Sequence, residues 1–164
     1  MKDKRSVAWL AQGAMIAAVY VVLTLVFAPI SFREVQVRIS EAMTILPLFT
    51  PAAVPGLAVG CVLGNLFFGA PLPDVIFGSL ATLIGAIGTR LLRNRKPILG
   101  VLPPIISNTL IVPLVLRYAY DITLPIPVLM LSVCAGELLS CGVLGLGLYS
   151  VLARHRDAIF KKYF

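Results

Sequence analysis

Six polar side chains stand out in an otherwise apolar chain: Glu137, Asn108, Glu41, Asn65, Asp74 and Arg38. Carboxylates accept hydrogen bonds from cations and N–H-rich edges, and carboxamides both donate and accept. As a set they suit recognition of a small polar molecule, and two carboxylates on one molecule would suit a cationic nitrogen heterocycle. They do not suit bond cleavage. The single histidine, His155, lies in a basic tail, and there is no HExxH, metal-binding cluster, phosphate-binding loop or nucleophile–base pair. The chain reads as a non-enzyme without metal or cofactor, unable to hydrolyse ATP by itself.

Each residue also has a structural reading. A carboxylate deep in a membrane helix, as Glu137 would be, costs about 2.5–3.5 kcal/mol and usually faces a cavity or a partner. Its alternative is a structural hydrogen bond. Asn108 and Asn65 could bridge helices. Asp74 follows Pro73 and could cap its helix. Arg38 and Glu41 are three residues apart in "VQVRISEAMTILPLF". On a helix they would share a face, as a local ion pair or with Glu41 turned to a ligand.

The elements that must hold these groups follow from composition. Of 164 residues, 59% are hydrophobic and 13% charged, with a mean hydropathy of +0.98. That apolar content requires lipid as the main solvent. Six apolar segments are expected at about 7–29, 39–53, 56–69, 74–92, 98–116 and 125–153. The second and third are short for a span of roughly 20 residues, and the sixth is long. Pro47, Pro51 and Pro55, followed by Gly56, place a joint between segments two and three near 53–56.

Basic residues cluster before segment one, between segments four and five, and after segment six. Six crossings put all three clusters on one face, cytoplasmic by the positive-inside rule. The predicted fold is an all-α integral membrane protein, a six-transmembrane-helix bundle with both termini cytoplasmic. It forms a single transmembrane domain over 1–164, with short basic tails at 1–6 and 154–164. On this topology the polar groups of segments two to six share the outer half of the membrane.

The net charge of +7 is explained by that topology, so nucleic acid is not expected as a partner. Cys61, Cys134 and Cys141 lie in apolar runs without metal spacing and read as small packing residues. Phe67, Phe68, Phe77, Tyr118 and Tyr120 could stack on a ring or simply face lipid. Segment one carries two small-xxx-small pairs, Gly13/Ala17 and Ala14/Ala18, suited to close approach by another helix. The loop 31–40 reads as a gate, and the tail "RHRDAIFKKYF" as an amphipathic segment on the anionic inner leaflet.

The strings "VRISEA" and "GNLFFGAPLPD", with "PPIISNTLIVP" and the glutamate of segment six, resemble the QueT family. These are queuosine-precursor substrate-binding components (S-components) of energy-coupling factor transporters in bacterial cell membranes. The resemblance runs over about 7–153. It implies a six-helix membrane protein that binds a micronutrient near the outer face. Such a protein docks on a transmembrane coupling protein and two cytoplasmic ATPases, which use the ATP. An Ala-xxx-Ala pair on helix one, here Ala14 and Ala18, would meet the coupling protein. The implied ligand is 7-aminomethyl-7-deazaguanine or a related deazapurine. Glu137 would take its guanine-like edge, Asn108 and Asn65 would complete the hydrogen bonds, and Glu41 or Asp74 would meet the ammonium. Such a site should bind adenine weakly. Alternatives are an S-component for another micronutrient or vitamin, or a stand-alone channel or secondary transporter.

Overall fold

The structure, a computed structural model, describes residues 2–27 and 37–155. Among them there are helices and short connections but no strand. In chain order the helices are α1 (Lys2–Val26), α2 (Ile39–Leu48), α3 (Ala53–Phe68), α4 (Asp74–Leu91), α5 (Pro97–Ala119) and α6 (Ile126–Arg154). By length and composition α1, α4, α5 and α6 can each cross a membrane, whereas α2 and α3 are shorter. Their outward faces carry large apolar side chains such as Met15, Val22, Leu131 and Leu139. A continuous apolar surface of this kind suits contact with lipid or protein rather than water.

The short helix α2 sits in the middle. Residues Ser40 to Pro47 are all buried, and α1, α3, α4 and α6 pack around them. It is a 3₁₀ helix, with a rise of about 2.0 Å per residue against about 1.5 Å in an α-helix. Ten residues therefore reach about 20 Å, and side chains three apart eclipse. Glu41, Thr44 and Pro47 form one such row. At its end Arg90 of α4 donates to the Pro47 carbonyl at 3.0 Å.

The joint between α2 and α3 falls at Phe49–Ala52, earlier than the prolines suggested. Pro55 lies in the first turn of α3, where its missing N–H has no intrahelical partner to lose. The helix ends at Gly69, whose φ of 78° is the left-handed conformation favoured by glycine. The following link, "APLP", delivers Asp74 to the start of α4.

Close packing of α1 on α3 depends on a glycine stripe, Gly56-xxx-Gly60-xxx-Gly64. A Cβ at Gly56 would lie 2.7 Å from the Gly13 carbonyl, and one at Gly60 would lie 2.9 Å from Cβ of Tyr20. The two small pairs of α1 thus divide. Gly13 and Ala17 face α3, whereas Ala14 and Ala18 are exposed. On the other side of the bundle Val112 and Leu116 of α5 pack with Leu129 and Val133 of α6.

Two helices carry π-helical turns beside acidic residues. Asp74–Gly78 opens α4, and Leu138–Leu144 follows Glu137 in α6. A π turn widens the helix and re-aims its side chains, and such turns are frequent at functional sites. The gate expected at 31–40 and the amphipathic tail fall largely outside the described residues, apart from Val37 to Ser40, Arg154 and His155.

Candidate functional site

The six residues singled out by the sequence are all buried: Arg38, Glu41, Asn65, Asp74, Asn108 and Glu137. The bundle gathers them into two linked groups. In the first, Asn108 of α5 donates through Nδ2 to Glu137 Oε1 at 2.9 Å. Cys141, one turn further along α6, donates to Glu137 Oε2 at 3.0 Å and lies 3.4 Å from the Glu41 carbonyl oxygen. That carbonyl also accepts from Thr44 at 2.6 Å. One carboxylate oxygen each of Glu41 and Glu137 and the Cys141 sulfur lie within 4.8 Å of one another.

Glu41 has two differently placed oxygens. Tyr20 of α1 donates to Oε1 at 2.5 Å, and Thr82 of α4 reaches the same atom at 3.5 Å. Oε2 is buried and accepts no hydrogen bond.

The second group surrounds Asp74. Its Oδ2 accepts from Arg38 at 3.3 Å and from Tyr120 at 2.7 Å. Asn65 donates to the Asp74 backbone carbonyl at 3.3 Å. The Tyr120 phenol, beyond the end of α5, is pushed up by burial and by the Asp74 carboxylate, so it stays protonated as a donor. Thr82 and Cys61 connect the two groups. Thr82 lies 3.5 Å from the Cys61 sulfur, which Asn65 also approaches, at 3.8 Å. Every helix from α1 to α6 supplies at least one member of this network.

Three expectations need correction. Arg38 does not form a local pair with Glu41; its guanidinium crosses to Asp74. Arg38 is the N-cap of α2, with extended backbone (φ −90°, ψ 102°), so the shared helical face does not extend to it. Asp74 makes no helix-capping side-chain hydrogen bond, because its carboxylate is turned to Arg38 and Tyr120. Cys61 and Cys141 are more than packing groups, since both sulfurs lie inside the polar network. Of the aromatic residues considered, Phe67, Phe77 and Tyr118 are exposed and Tyr120 is engaged with Asp74.

Tyr20 and Thr82 were not singled out from the sequence, and Cys141 was read only as a packing residue. A lone hydroxyl or thiol in an apolar helix looks like ordinary packing, and only the position of Glu41 reveals their role.

This arrangement gathers carboxylate and carboxamide groups inside a bundle with an apolar exterior. Residues 10–154 match the family model of the QueT transporter. The chain belongs to the QueT transporter family. That is a family of transporters rather than enzymes, and with several long apolar helices the chain is a multi-pass membrane protein. The chain is also similar to the Queuosine precursor transporter QueT of Lactococcus lactis subsp. cremoris (strain MG1363), with 34% identity over 73 residues. That alignment covers 43% of this chain and 43% of the relative, so it spans less than half of the relative's length. No solved structure matches the chain.

Proposed function

We propose that this QueT family member is the membrane-embedded substrate-binding component of an energy-coupling factor transporter. Its cargo is a queuosine precursor, 7-aminomethyl-7-deazaguanine or a related deazapurine. The observation that carries the reading is a charge imbalance. Among the described residues three buried carboxylates, Glu41, Asp74 and Glu137, stand against one buried guanidinium, Arg38. Arg38 is engaged with Asp74, so Glu41 and Glu137 suit an incoming cation with several N–H donors.

A deazaguanine edge presents a ring N–H and an exocyclic amine side by side, which one carboxylate accepts as a bidentate pair. Glu137 takes that edge, and Asn108, already on its Oε1, extends the hydrogen bonding. The ammonium goes to Glu41 rather than Asp74, because Asp74 is already paired with Arg38; both carboxylates keep one buried oxygen without a hydrogen bond. Asn65 and Arg38 then support the site from the Asp74 side.

In this reading the chain crosses the membrane six times with both termini in the cytoplasm. The exposed Ala14 and Ala18 meet a transmembrane coupling protein whose two ATPases supply the energy. The relative's printed name supports the cargo, and the exposed alanine face supports the docking. Native mass spectrometry of the purified protein tests the cargo: a co-purified deazapurine is expected, and a different ligand would overturn the assignment. Uptake by the chain alone in liposomes, without ATPases, would overturn the energy-coupling role.

A further inference from the structure

Tyr20 is almost fully buried in α1 and donates to Glu41 Oε1. Its ring is wedged against α3, because Gly60 leaves no side chain there; a Cβ would come within 2.9 Å of Tyr20 Cβ and 3.1 Å of Cγ. Thr82 adds a longer contact to the same oxygen. An ionised carboxylate can accept about four hydrogen bonds over its two oxygens. Here the protein directs its donors to one oxygen and leaves the other, Oε2, buried and unpartnered. A side chain free to rotate would not keep that distinction.

We propose that Tyr20 is a positioning residue for ligand specificity: its hydroxyl locks Glu41 so that Oε2 is presented to the cationic arm of the cargo. This rests on the function proposed above. Tyr20 does not touch the ligand; it acts through Glu41. The role of α1 is therefore double, with one face setting the acidic group of the site and the other exposing Ala14 and Ala18.

The test is calorimetric titration of the detergent-solubilised full chain with 7-aminomethyl-7-deazaguanine and with 7-deazaguanine, which lacks the cationic arm. Wild type, Tyr20→Phe, Glu41→Gln and the double variant are compared. Phenylalanine keeps the ring against Gly60 and removes only the hydroxyl. Affinity of Tyr20→Phe for the amine should fall about tenfold, the usual scale for losing a hydrogen bond to a charged group, while affinity for 7-deazaguanine stays within about twofold. The double variant should bind the amine no more weakly than Glu41→Gln, because both changes remove one coupled unit. Equal losses for both ligands, or fully additive losses, would overturn the inference. Wild-type protein that binds neither heterocycle would overturn the proposed function and this inference with it. Wild-type binding with Tyr20→Phe unaffected would overturn this inference alone. If Tyr20→Phe does not fold, Thr82→Val should show the same selectivity for the amine at smaller size, and no selectivity there would also overturn it.

Discussion

Arg38 and Asp74, 36 positions apart in sequence, form a buried ion pair at 3.3 Å that ties the head of α2 to the head of α4. Removing one member of such a pair leaves the other charge uncompensated, which costs about 3–5 kcal/mol. Arg38→Met should therefore lower unfolding stability in detergent by about that amount. Arg38→Met combined with Asp74→Leu should recover most of it. A double variant that loses the sum of the two single costs would show that the pair is not coupled.

Glu137→Gln keeps an oxygen for the Asn108 amide but removes the charge that would hold the guanine-like edge. Ligand affinity should fall at least about tenfold, since hydrogen bonds to charged groups contribute about 1.5–3 kcal/mol. Calorimetry showing unchanged affinity would end the Glu137 assignment.

The glycine stripe of α3 makes a packing prediction. Gly60→Ala pushes a methyl against Tyr20 and the Ala17 carbonyl, so it should destabilise by about 1–3 kcal/mol, the cost typical of overpacking. Gly142 is the control. A Cβ there meets nothing within 4 Å, and Gly142→Ala should stay within about 1 kcal/mol of the parent or improve on it. Thermal unfolding of both variants in one detergent gives the comparison.

Ala14→Leu with Ala18→Leu enlarges an exposed face without touching the polar network. Ligand binding and thermal stability should be unchanged. ATP-driven uptake, measured with the partner subunits in proteoliposomes, should be lost. Normal uptake would remove this face from the docking surface.

The helical elements were legible because apolar runs, prolines and glycines mark where backbone can sit in lipid. Glu137 and Asn108 were each legible as costly polar groups near mid-membrane, but the hydrogen bond between them required the fold. The partner of Arg38 was not, because helical periodicity says nothing about a side chain placed just ahead of the helix. The 3₁₀ form of α2 was equally hidden. Its sequence is compatible with either helix, and packing on all sides decides. The role of Gly56, Gly60 and Gly64 emerged only with the fold, which sets α1 against them. Tyr20, Thr82 and Cys141 became meaningful only once Glu41 was placed.

The threefold winding of α2 also restricts how this segment can change in length. In a 3₁₀ helix one inserted or deleted residue turns everything beyond it by about 120°. A single insertion between Glu41 and Thr44 would swing Thr44 off the row it shares with Glu41 and turn a neighbour toward Cys141. Three residues are the smallest change that preserves the faces, and they would lengthen the central plug by about 6 Å. Natural or engineered variants of this chain should therefore tolerate substitutions in α2 more readily than any change in its residue count.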